Sequence, residues 1–279
     1  MSPAGGSDLL IQARAALLDA LEALDAQREA VIVIGAQAVY LHTGAAQVAL
    51  AEATKDSDLA LDPRLLHDEP LLESAMRQAR FIPNLSGQPG AWISPRGIPV
   101  DLMVPDQLAG PGSRGARGAR IPPHSRRAAR RAVGLEAAII DNSLVDIGAL
   151  DPRDPRVYRA RVAGPAALLV AKLHKIGERT EAPDRLVDKD AHDIYRILVA
   201  VPTAQLAARL RTLAADPISR GATSRALEYF DVLFAAGPKA IGSMMAGRAE
   251  EGIGDPEQVA LAVSILAADT LNAIRDGLP

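Results

Sequence analysis

The chain has 279 residues, 48% hydrophobic and 23% charged, with a net charge of −3, which suits a globular protein of one large or two modest domains with a real core. It has no cysteine, which excludes disulfides and thiolate metal sites. Aromatic residues make up only 3%, so the core must be built from Leu, Val, Ile and Ala, and platforms for stacking bases are scarce.

The opening stretch MSPAGGSDLLIQARAALLDALEALDAQ carries acidic residues through its apolar run and has no basic lead, so it reads as a helix rather than a signal peptide. Asp8 is the expected cap, and Leu10, Leu17, Leu21 and Leu24 recur at helical spacing as a core face. AVIVIG is a buried strand running straight into a second helix, where Gly35 permits a tight turn and Ala36 and Ala38 permit close packing. DSDLAL is the second strand, a helix follows over about 70–80, and GAWISP with IPVDLMV forms a hairpin turning at Arg96-Gly97. LEAAIIDNSLVDIGAL and YRARVAG read as further strands or a short helix. From AGPAALLVAKLHKIGER onward the periodicity is helical, with breaks near Pro202, Pro217, Gly237 and Asp255-Pro256. No run approaches the length of a membrane span, so a cytoplasmic protein without a membrane partner is expected.

In EATKDSDLAL, Asp56 and Asp58 should project from one face of a strand, with Ser57 and Leu59 on the other. Two carboxylates side by side repel unless a cation lies between them, and a divalent ion with oxygen ligands is the usual neutraliser; a strand end fraying into solvent is the alternative. Asp101 stands among Val100, Leu102, Met103 and Val104, where a carboxylate is costly unless it is paired, bound to metal or at the strand's mouth. From Gln107 to Leu135 there is no acidic residue but seven arginines, Arg114, Arg117, Arg120, Arg126, Arg127, Arg130 and Arg131; without them the remainder would stand near −10. Interleaved with Gly and Pro, this block reads as a mobile basic arm suited to phosphate or RNA and poorly suited to packing, or as a solvated loop. His174 and His192 have no metal-binding spacing, and Tyr40 and His42 read as packing residues.

A strand–Gly–small–helix turn, a D-x-D strand and a third Asp on a neighbouring hairpin strand together resemble the nucleotidyltransferase superfamily with a DNA polymerase β type core. VIGAQAVYLHTG, ATKDSDLAL and PVDLMV, followed by VAKLHKIGER and DKDAHDIYRIL, resemble the AbiEii/AbiGii toxin group, the MenT-like nucleotidyltransferases of bacterial toxin–antitoxin systems. The likeness covers about residues 10–200. It implies an α/β (α+β) fold, with a mixed sheet flanked by helices over residues 1–163, including the basic arm at 107–135, and a helical domain over 164–279.

The resemblance also implies site residues. The family's phosphate-binding turn matches Gly35-Ala36, where Ala36 replaces a serine and leaves backbone donors to do the work. Asp56 and Asp58 match the metal-binding pair, for Mg2+ or Mn2+, and Asp101 the third carboxylate, a metal ligand or general base. Lys172 matches a lysine on the triphosphate, with Lys175 on the same helix face able to share the task, unless Lys172 is a snorkelling surface lysine. Asp190 and Asp193 match the KDxxD element; one would orient Lys172 or Arg179 while the other caps or meets water. Thr54, near the site's mouth, matches a hydroxyl phosphorylated by the antitoxin partner, or is simply a strand-favouring residue.

The expected activity is transfer of a nucleoside monophosphate from an NTP to RNA, the tRNA 3′ end above all, with Arg126, Arg127, Arg130 and Arg131 on the RNA and a cognate antitoxin as partner. The rivals are nucleotidylation of a small molecule or protein hydroxyl, and a degenerate core kept as a binding module.

Overall fold

A computed structural model describes residues 4–44, 56–112 and 115–277. They fall into two compact units, one within Met1–Ala38 and Ala53–Ala163, the other within Val39–Glu52 and Gly164–Pro279. The protein is mixed α/β, an open mixed sheet flanked by helices with a helical C-terminal part.

The first unit runs α1 (Ala4–Ala23), β1 (Val31–Ile34), the start of α2 (Gly35–Thr43), β2 (Ser57–Leu61), α3 (Leu72–Gln78), β3 (Ile82–Pro83), β4 (Ala91–Ile93), β5 (Pro99–Pro105), β6 (Arg130–Ala132), α4 (Glu136–Ile140), β7 (Asn142–Gly148) and β8 (Val157–Ala163). The strand order is β3-β4-β5-β2-β1-β8-β7, with β6 also on β5. Pairs β1/β8, β2/β5 and β5/β6 are parallel; β1/β2, β3/β4, β4/β5 and β7/β8 are antiparallel. Central strand β1 is buried along its whole length, as its unbroken Val-Ile-Val-Ile run requires.

Helix α1 lies against β2, β5 and β8. Leu17 and Leu21 are buried there, as is Leu24 one residue past its end, while Leu10 is half-buried. Asp8 is not a cap: the helix starts at Ala4, so Asp8 sits exposed inside it. Ser57 Oγ donates to the Ala13 carbonyl of α1 at 3.0 Å, which fixes the α1 side of β2 and sends Asp58 to the opposite face.

The outer edge of β5 is shared end to end. Residues Pro99–Asp101 pair with β4, and Met103–Pro105 with β6. Gly90 occupies the joint with φ +75, donating its N–H to the Arg127 carbonyl and accepting from Leu102 N–H. A Cβ there would strike the Leu102 carbonyl and the Arg130 nitrogen.

Three Asp-Pro-Arg tripeptides, at 62–64, 151–153 and 154–156, form the same local unit. In each, the aspartate accepts the arginine's own backbone N–H and is gripped by its guanidinium, with side-chain contacts of 2.7–2.9 Å at Asp62, 2.9–3.0 Å at Asp151 and 2.7–3.0 Å at Asp154. Proline presets the turn and the arginine closes it. Hydrogen bonds from Arg153 hold the Asp151 carboxyl down at about 2.

The second unit contains the rest of α2 and then α5 (Pro165–Gly177), α6 (Asp188–Ala200), α7 (Thr203–Ala215), α8 (Arg220–Phe230), a π-helical turn at Asp231–Ala235, α9 (Ile241–Arg248) and α10 (Pro256–Asp276). Asp255 caps α10, accepting from Glu257 and Gln258 N–H, with Pro256 opening the helix. Among the described residues α10 is long and apolar enough to cross a membrane, against the expectation that no run approaches that length. Its Val259, Val263, Ala267, Leu271 and Ile274 are buried, and it packs on α7 and α9. Helix α5 is buried almost all round, with Leu168, Leu169, Val170, Leu173 and Ile176 at its centre.

Candidate active site

In the first unit the strand register assembles the acidic residues. Asp58 is the partner of Ile34 on β1 and of Asp101 on β5. Register partners on parallel strands put their side chains on one face, with the backbones about 4.8 Å apart. Gly35 opens α2 immediately after β1 with φ +69, and a Cβ on it would fall onto the Asp58 carboxylate. Glycine is therefore required twice, for the backbone turn and for the room that Asp58 occupies. Ala36 behind it is buried. Asp56 is exposed and stands one residue before β2 begins, so strand alternation governs Asp58 and not Asp56.

Asp101 is half-buried and accepts a 3.0 Å hydrogen bond at Oδ2 from Arg130 Nη2. No group of three or more His, Cys, Asp or Glu side chains among the described residues forms a metal cluster. Asp58 and Asp101 do supply hard oxygen donors, and the missing Cβ of Gly35 leaves the Asp58 carboxylate its place. Magnesium commonly binds through one or two carboxylates with water and substrate phosphate completing its shell, so the donor set fits that ion.

The basic segment differs from the expected mobile arm. Ala119, Ala128 and Ala129 are fully buried, with Ile121 nearly so. Ala119 N–H donates to the Ala129 carbonyl, Arg131 N–H to that of Arg117 and Arg120 N–H to that of Ala109. The physical reason lies in the interleaving: the alanines turn inward as small core residues while Arg117, Arg120, Arg126 and Arg127 stay exposed. Arg130 and Arg131, expected on RNA, are both held by the fold. Arg131 bonds Asp106 Oδ1 at 2.9 Å, the Asp106 carbonyl at 3.1 Å and the Gly110 carbonyl at 2.7 Å.

In the second unit Lys172 of α5 is buried, not a surface lysine. Its Nζ donates to Asp190 Oδ1 at 2.7 Å and Asp193 Oδ2 at 2.6 Å, both on α6. Lys175 Nζ adds a 2.9 Å bond to Asp190, with Arg179 at 3.9 Å; Lys189 lies 3.7 Å from Asp193. The expectation that one aspartate would meet water fails, because both face α5 and both are buried. Burial opposes the charge on Lys172, but the two carboxylates outweigh it and hold the ammonium above the usual lysine range. Burial likewise pushes the Asp190 carboxyl up, and Lys172 and Lys175 more than reverse this, leaving it below the usual carboxylate range. Lys175 is the exposed cation of this cluster.

Also in this unit, Arg196 bonds Thr43 Oγ1 at 3.2 Å and its carbonyl at 3.0 Å, while Lys189 and Arg196 flank the Tyr40 ring. Buried His192 meets buried Glu250 at 2.6 Å, and His174 Nε2 meets the Ala222 carbonyl at 2.8 Å. Thr54 and Arg114 lie outside the described residues.

Comparison with family models, curated proteins and solved structures finds no match. The pairing of Arg130 with Asp101 was invisible in sequence, because it depends on β6 joining the same strand that carries Asp101.

Proposed function

We propose that this chain is a nucleotidyltransferase that moves a nucleoside monophosphate from an NTP to an RNA acceptor, the 3′ end of tRNA, as the toxin of a toxin–antitoxin pair. The observation that carries this reading is the close approach of Gly35 and Asp58: a glycine at positive φ opens α2 against a carboxylate that is in register with Asp101. The ordered sequence motifs support the same chemistry.

In that reaction the acceptor hydroxyl oxygen attacks the α-phosphorus, the bond to the pyrophosphate oxygen breaks, and the hydroxyl proton passes to a base. Asp58, with Asp56 beside the strand, would hold Mg2+ or Mn2+. The ion, when bound, would stabilise charge on the attacking and leaving oxygens. Asp101 serves as a further ligand or as the base once Arg130 is displaced. The α2 N-terminus offers backbone N–H groups to an anion. In the helical unit, Lys172 is spent on Asp190 and Asp193, and Lys175, exposed though bonded to Asp190 at 2.9 Å, would be the ammonium offered to a phosphate. The exposed Arg117, Arg120, Arg126 and Arg127 favour RNA over a small acceptor.

The test is incubation of purified protein with total tRNA, magnesium and each α-labelled NTP in turn, with Asp58→Asn as control. Label on RNA, lost in the variant, is expected. Label on protein or on a small molecule instead would replace the RNA acceptor, and none anywhere would leave the degenerate binding module.

A further inference from the structure

The carboxylate site already contains a cation of its own. Arg130 and Asp101 are each about one-quarter exposed, 26% and 25% respectively, and meet at 3.0 Å. The arrangement is built by the backbone. Arg130 is the register partner of Met103 on β5 and forms a second bridge to Gly118, so the strand that carries Asp101 also fixes the root of the arginine. Among the described residues its buried Nε has no acceptor, which an arginine tolerates poorly and which a repositioned guanidinium would relieve.

We propose that Arg130 is a resident counter-ion that competes with divalent cations for Asp101. In the free protein the guanidinium neutralises one of two neighbouring carboxylates, lowering the pull of the pair on a metal ion. When Arg130 leaves Asp101, the site gains a ligand and sheds a repulsive charge at once, and the freed planar fork can take phosphate oxygens. Cation uptake and nucleotide phosphate binding are thereby linked through one side chain: each favours the arrangement in which Arg130 has turned from Asp101. The inference rests on the nucleotidyltransferase reading of Asp58 and Asp101.

The experiment is Mn2+ titration without nucleotide, followed by electron paramagnetic resonance of the free ion, on the wild-type chain and on Arg130→Gln, Arg130→Lys, Asp58→Asn and Arg130→Gln/Asp101→Asn. Arg130→Gln should bind Mn2+ about tenfold more tightly than wild type, since it removes both a competitor and a like charge. Arg130→Lys, which keeps the charge, should stay within about threefold of wild type, and a gain in it as large as in Arg130→Gln would overturn the charge argument. Adding Asp101→Asn should cancel the gain. Equal Mn2+ affinity in wild type and Arg130→Gln, with binding lost in Asp58→Asn, overturns the counter-ion role and leaves the nucleotidyltransferase reading standing. Mn2+ binding that is absent throughout, or indifferent to Asp58→Asn, overturns that reading and the counter-ion with it.

Discussion

Replacing Lys172 by methionine isolates the buried charge cluster. Lys172, Asp190 and Asp193 have side-chain exposures of 7%, 5% and 1%. Methionine keeps the apolar stem and deletes the ammonium, leaving two anions in a helix interface. Asp190 retains Lys175 at 2.9 Å, but among the described residues Asp193 retains only the more distant Lys189 at 3.7 Å. Stripping one partner from a buried ion pair costs about 3–5 kcal/mol, and the larger share here belongs to Asp193. Adding Asp193→Asn should therefore return a substantial part of the loss, although it also gives up the ion pair with Lys189. Urea unfolding followed by far-UV circular dichroism measures both variants. A loss below about 1 kcal/mol for Lys172→Met, the scale of a surface pair, would refute the burial argument.

The same cluster predicts a pH window. Asp190 is depressed when folded, so its contribution is present above the ordinary carboxylate value of about 3.9 and disappears as pH falls through the lower folded value. Lys172 is raised when folded, so its contribution is present below about 10.4 and disappears as pH climbs through the higher folded value. The stability gap between wild type and Lys172→Met should be flat from about pH 5 to pH 9 and shrink on both sides, as urea midpoints across pH would show. Gly35→Ala forces a side chain at φ +69 against Asp58 and should cost about 1–3 kcal/mol together with the proposed nucleotidyl transfer; unaltered stability would contradict the close approach. Arg126→Gln/Arg127→Gln should leave stability within about 0.5 kcal/mol and make the log–log salt slope of the proposed RNA binding shallower by about 1.4, as RNA titrations at several salt concentrations would reveal. Arg131→Gln, which loses its grip on Asp106 and Gly110, should instead cost about 2 kcal/mol in the same urea assay.

The front half of the fold was legible where pattern is local. The Val31–Ile34 run, the abrupt turn at Gly35 and the Arg96-Gly97 hairpin all follow from neighbouring residues. So do the helix breaks at Pro202, Pro217 and Pro256. Long-range pairing decides the rest. Asp101 looked like a carboxylate awaiting an ion, and only the arrival of β6 shows that an arginine reaches it first. The basic segment looked unpackable because glycine and alanine carry little hydrophobic signal, yet small residues suit the tight joint beside β5. Lys172 could be read as exposed until α5 was seen to be covered on nearly every side.

The Asp-Pro-Arg turns bear on how this molecule looks to an approaching polyanion. Arg64, Arg153 and Arg156 count as three positive charges in the formal sum, but each is closed on the aspartate two residues before it. Arg156 is further shared with Asp19 and Glu22. Beyond a Debye length, about 8 Å at physiological salt, such units act as small dipoles rather than monopoles. Arg117, Arg120, Arg126 and Arg127, exposed in a stretch without acidic neighbours in sequence, are not closed in such turns and keep more of their positive field. The orienting torque on an incoming phosphate chain therefore depends less on the protein's arginine content than on which arginines the turns have already neutralised.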